Sequence, residues 1–131
     1  MGFLYAHAVL MCIGFLFLLA GFVIARFMKR KLWWLTIHKA CGISGASCAV
    51  LGFCAVFLDI ALARGQHLSI PHSYVGIAAV ILAIAAPVLG LMQFRFREHI
   101  RAVKRLHIWS GRIALILMLI NIIVGFSLMG L

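Results

Sequence analysis

The chain has 131 residues, of which 66% are hydrophobic and only 11% charged. Soluble domains average about 45–50% apolar and about 25% charged, so this composition excludes a free-standing soluble enzyme, a disordered tail and a secreted disulfide scaffold. The formal charge of +10 rests on twelve Lys and Arg against two acids, and where those bases fall decides what they mean.

They gather mainly in two clusters, Arg26, Lys29, Arg30 and Lys31, then Arg95, Arg97, Arg101, Lys104 and Arg105, each lying between two long apolar runs. Basic residues in that position mark the cytoplasmic loops of a membrane protein, so no nucleic-acid partner is expected and the partner is the lipid bilayer. The middle loop, with Arg64 beside Asp59 and His67, is near neutral. Both termini and that loop are therefore expected on the non-cytoplasmic side.

The first apolar run covers about 2–25. It has no basic segment ahead of its apolar core and a basic cluster behind it, so it reads as a retained span and not a signal peptide. The second run covers about 32–58, and Asp59 with residues 61–69 makes a short polar-leaning loop. The third opens at Pro71, a residue suited to a helix's first turn because its missing N–H would be unpaired there. It continues to about Gln93, with a kink expected at Pro87. The fourth covers about 106–131. Each run exceeds the roughly 20 residues that cross about 30 Å of hydrocarbon. Short connections make consecutive helices antiparallel. The expected fold is all-α, an antiparallel four-helix transmembrane bundle forming one polytopic domain over 1–131.

Trp33, Trp34 and Trp109 fall near one membrane face and Tyr5 and Tyr74 near the other, an aromatic belt at both. Cys12, Cys41, Cys48 and Cys54 all lie in apolar runs, where cysteine behaves as a small hydrophobe. None has metal-binding or covalent haem-attachment spacing.

Four of the six histidines sit one to a helix: His7, His38, His72 and His107. His67 and His99 read as solvated loop side chains. Ionisable groups within spans are costly and usually face the bundle interior with a partner. Antiparallel topology pairs the four by depth, His7 with His72 at the outer side and His38 with His107 at the cytoplasmic side. Two opposed imidazoles at one depth suit a six-coordinate b-type haem, whereas zinc asks for three or four ligands at one level. The competing reading is interhelical hydrogen bonding or snorkelling.

Glycine follows three of these histidines by four positions, at Gly42, Gly76 and Gly111. Positions i and i+4 share a helix face, so a missing side chain there leaves room for a flat macrocycle, or else allows close helix packing. The first helix departs from the pattern, with Met11 at that place. Roughly 14 residues of helix separate the two histidine levels, which at about 1.5 Å each is about 20 Å between irons. That distance describes an electron conduit across the membrane. Lys39 and Arg112, near the cytoplasmic level, read as partners of haem propionates or of an anionic donor, or as snorkelling side chains. Asn121 returns to the outer level and reads as a hydrogen-bonding partner of a propionate, of His7 or His72, or of a neighbouring helix.

The strings HAVLM at 7–11, WWLTIH at 33–38, PHSYVGI at 71–77, LHIWSGR at 106–112 and NIIVG at 121–125 together resemble the eukaryotic cytochrome b561 family. The resemblance implies two haem b groups on a four-helix core, with ligands paired first-with-third and second-with-fourth. It also implies electron transfer from cytoplasmic ascorbate to monodehydroascorbate or a ferric chelate opposite, a transmembrane oxidoreductase activity. Ascorbate-dependent members have six helices and modules joined to redox domains commonly five, whereas only the four-helix core is expected here. Substrate sites are therefore not carried over. A haem-bearing anchor serving a partner domain or quinone stays open as the alternative function, as does a homodimer.

Overall fold

A computed structural model describes residues 2–63 and 65–130. Arg64, expected in the middle loop, lies outside the described residues. The fold is all-α: α1 (Gly2–Phe27), α2 (Trp34–Leu62), α3 (Pro71–Arg95) and α4 (Ile100–Leu128), with a single 3₁₀ turn over Arg97–His99 before α4. Each of the four long helices is apolar and long enough to cross a membrane, and the protein is a multi-pass integral membrane protein.

Element boundaries depart from the polarity boundaries in two places. α2 continues through Asp59 to Leu62, and α4 begins at Ile100, six positions before the expected start, taking in Arg101, Lys104 and Arg105. Lys and Arg are good helix formers, so a helix need not stop where the hydrocarbon does. Pro71 occupies the first turn of α3 behind an extended Ile70, as expected. Pro87 lies inside α3 without ending it. A Cβ at Gly42 would stand 3.9 Å from the Pro87 Cβ, so the proline ring has an open position opposite it.

α1 packs along α2 and α3 along α4, and these hairpins meet along α2–α3 and α1–α4, with no close backbone approach across either diagonal among the described residues. The arrangement is the cyclic bundle in which α1 faces α3 and α2 faces α4. Bilayer lipid is as apolar as leucine, so helices in it associate through close packing of small residues. The seam follows that rule. Ala49, Ala79, Ala83 and Ala114 are at most 1% exposed, and the large side chain among the described residues that comes nearest to them is Met118 at 3%. α1 and α2 cross at Gly14 and Gly45, where a Cβ on Gly14 would come within 3.0 Å of the Gly45 carbonyl oxygen.

The large apolar side chains instead point outward. Leu16, Leu51, Ile81 and Ile116, one from the middle of each helix, are 58–60% exposed. An apolar surface of that extent is a lipid-facing one. Trp33, Trp109, Tyr5 and Tyr74 are exposed near the two ends, in keeping with the aromatic belts. The four cysteines are free.

Candidate functional site

Two cavities open between the hairpins, one toward each end of the bundle, of about 480 and 500 Å³. Both volumes lie within the roughly 300–1,000 Å³ typical of cofactor sites. Between them sits a septum of small and flexible side chains. Met11, Ala79 and Met118 border one cavity, Ala83 and Ala114 the other.

The histidines meet in the pairs expected from depth. His7 and His72 face each other across the cavity at the end away from the basic clusters, ring centres 6.4 Å apart and planes at 80°. His38 and His107 do so at the basic end, at 5.9 Å and 84°. Each pair spans a diagonal of the bundle, α1 to α3 and α2 to α4, where the backbones themselves do not touch.

Three rings are fixed by the neighbouring helix. His7 Nδ1 donates to the carbonyl oxygen of Gly52 at 2.9 Å, His38 Nδ1 to that of Gly21 at 2.9 Å, and His107 Nδ1 to that of Ala86 at 2.7 Å. A carbonyl only accepts, so the proton is on Nδ1 and the lone pair on Nε2. That is the arrangement in which second-shell hydrogen bonds orient a ligating histidine. His72 differs: its buried Nδ1 has no hydrogen-bond partner.

Glycines border the rings. A Cβ at Gly90 would lie 3.1 Å from His107 Cε1, and one at Gly125 would lie 3.0 Å from His72 Cε1. Gly42 and Gly111 line the basic-end cavity and Gly76 the other. Around Gly42 and Gly111 an added Cβ would meet only Pro87 at 3.9 Å and Ala86 at 3.8 Å. At Gly76 it would meet the Asn121 amide nitrogen at 2.9 Å, so Gly76 makes room for that side chain. Among the described residues no cluster of three or more His, Cys, Asp or Glu side chains is assembled to hold a metal ion. The potential ligands come in twos.

The sequence matches the eukaryotic cytochrome b561 family over residues 6–130. The chain belongs to that family. It is 30% identical to a lysosomal membrane ascorbate-dependent ferrireductase of Danio rerio, over 92% of this chain and 53% of the relative. It thus spans about half the length of the curated relative it matches. No solved structure matches.

In this cytochrome b561 family chain the two cavities differ in charge. Arg26, Lys29, Lys39, Lys104 and Arg112 line the basic-end cavity with no acid among them. The opposite cavity is lined by Asp59 and by no described Lys or Arg. Lys39 Nζ lies 4.3 Å from the centre of the Phe94 ring, and Arg112 Cζ lies 5.5 Å from that of Trp109. Of the remaining histidines, exposed His67 stacks on Phe57 at 4.3 Å and His99 is exposed in the 3₁₀ turn.

Sequence reasoning missed the acceptor carbonyls of Gly21, Gly52 and Ala86 and the rests at Gly90 and Gly125. A signal for them exists. A small residue follows each histidine by seven positions, at Gly14, Gly45, Ala79 and Ala114. Fourteen positions on stand Gly21, Gly52, Ala86 and Asn121. In an antiparallel pair, a residue fourteen positions past one helix's histidine is at the level of the other's. That register places each acceptor.

Proposed function

We propose that this chain carries electrons across a membrane by means of two haem b groups, one held by His7 and His72 and the other by His38 and His107. The observation that carries the reading is the spacing of the rings, 6.4 and 5.9 Å between centres. A metal–imidazole bond is about 2.0–2.1 Å for zinc, and a similar length for iron would bring two rings that share one ion to roughly this separation. The Nδ1 bonds of His7, His38 and His107 support it further, because they leave Nε2 free to ligate. The open sides of Gly42 and Gly111 give a flat macrocycle room beside the rings.

Haem held between these histidines would supply a reversible one-electron couple. The chain's own part is to hold and orient. His38 and His107 are kept in place from Gly21 and Ala86, and the Ala/Met septum excludes water between the cavities. Lys39 and Arg112, with Arg26, Lys29 and Lys104, attract carboxylates or an anionic donor. A cation beside an anion gains most where water is scarce.

The basic loops face the cytoplasm in this reading, and both ends of the chain face away from it. Ascorbate is the donor and monodehydroascorbate or a ferric chelate the acceptor, an assignment supported by the family and by the name of the Danio rerio relative. The activity is that of a transmembrane oxidoreductase. A second reading is a haem-bearing anchor that passes electrons to a partner domain or quinone without reductase activity of its own.

Proteoliposomes loaded with a ferric chelate separate the two. Ascorbate added to the basic-loop side should reduce the chelate inside without any other protein. Reduction only after a partner is added supports the anchor, and haem-free protein removes both readings.

A further inference from the structure

α3 and α4 repeat each other at the positions that hold the rings. His72, Gly76, Ala86 and Gly90 of α3 match His107, Gly111, Asn121 and Gly125 of α4, each 35 positions on. The contacts repeat as well. His107 rests on Gly90 of α3, and His72 rests on Gly125 of α4. Ala86 faces Gly111, with an added Cβ 3.8 Å away, while Asn121 faces Gly76, with an added Cβ only 2.9 Å from its amide nitrogen. The helices thus lean on each other reciprocally at both ends, and the repeat is broken at one residue, Asn121 in the place of Ala86.

The hydrogen bonding is broken at the same place. His107 donates to the Ala86 carbonyl, whereas His72 Nδ1 is buried without a partner. Asn121 is 8% exposed, one of two buried polar residues among those described. The other, Ser110, donates to the His107 carbonyl oxygen. No side-chain hydrogen bond of the described residues engages the Asn121 amide. Two polar groups that both want a partner therefore stand at one level, on two helices in contact, and both line the same cavity. A buried donor left unpaired costs free energy, and an amide oxygen is a good acceptor for an imidazole N–H.

We propose that Asn121 is the positioning residue of His72: its side-chain oxygen accepts the Nδ1 proton that main-chain carbonyls accept from the other three histidines. The inference rests on the haem reading above and adds to it. One ring of the His7/His72 pair is thus held by a side chain, so its Nδ1 hydrogen bond can be altered by substitution, whereas main-chain carbonyls take that role for His38 and His107. Donation from Nδ1 makes Nε2 a stronger ligand and favours the ferric iron, lowering the potential.

The test is redox titration with low-spin EPR on the purified holoprotein and on Asn121→Leu and Asn121→Asp. The component belonging to His7/His72 is identified as the one lost in His7→Ala. In Asn121→Leu that component should rise in potential and its ferric g-values should move, while the other stays. In Asn121→Asp it should fall, because a carboxylate is the stronger acceptor. If Asn121→Leu loses the haem outright, a lowered potential in Asn121→Asp still supports the inference. An unchanged His7/His72 component in either variant, equal movement of both components, or loss of that haem from both variants overturns it and leaves the haem reading standing. Haem-free unaltered protein overturns both.

Discussion

His7 and Gly52 are joined across α1 and α2 by a 2.9 Å hydrogen bond, and His38 and Gly21 by its mirror, also 2.9 Å. Each helix of the hairpin thus fixes the other's histidine, so the packing of the hairpin and the aim of the rings are one property. A Cβ at Gly52 would meet Leu10 Cβ at 3.2 Å, and one at Gly21 would meet Cys41 Cβ at 3.3 Å. Replacing either glycine by leucine is expected to cost about 1–3 kcal/mol by overpacking. Thermal unfolding in detergent should show the loss, and haem retention should fall with it.

The rests at Gly90 and Gly125 allow each site to be disturbed alone. An alanine at Gly90 presses on His107 and one at Gly125 on His72, at 3.1 and 3.0 Å. Gly90→Ala should shift the absorption and potential of the His38/His107 component only, and Gly125→Ala those of the other. Movement of both components in either variant would contradict two independent sites. Larger residues at these glycines should each lower haem content toward one per chain.

Ligand removal gives the sharper form of the same prediction. His38→Ala and His107→Ala should each leave about one haem per chain and stop transfer across the membrane, as should His7→Ala. Quantitative haem extraction against protein mass checks the count.

The cation-lined cavity should act on rate. Lys39→Ala or Arg112→Ala removes one charge near an anionic donor, worth about 1 kcal/mol or roughly fivefold in partly screened surroundings. Stopped-flow reduction by ascorbate should slow by that order and become less sensitive to salt. Equal slowing with a neutral reductant would show that the charge acts on something other than the donor.

The pairing of His7 with His72 and of His38 with His107 was legible because depth in a membrane is nearly one-dimensional. A residue's position along an apolar run gives its level, and antiparallel order gives its side. The acceptors were not legible by residue type, since a carbonyl belongs to every residue, and Gly21, Gly52 and Ala86 carry no mark of their role. Their spacing from the histidines does carry it, once both helices of a hairpin are read together. The start of α4 at Ile100 was missed for a different reason: hydropathy locates the hydrocarbon, whereas Arg101, Lys104 and Arg105 continue the helix beyond it. Asp59 at the end of α2 is the same effect at the opposite end.

The pyridine haemochrome assay on the purified, unaltered chain tests the central claim most directly. Two haem b per polypeptide, six-coordinate in both oxidation states, is the result the paired histidines require. A chain that purifies folded and helical but without a Soret band contradicts it.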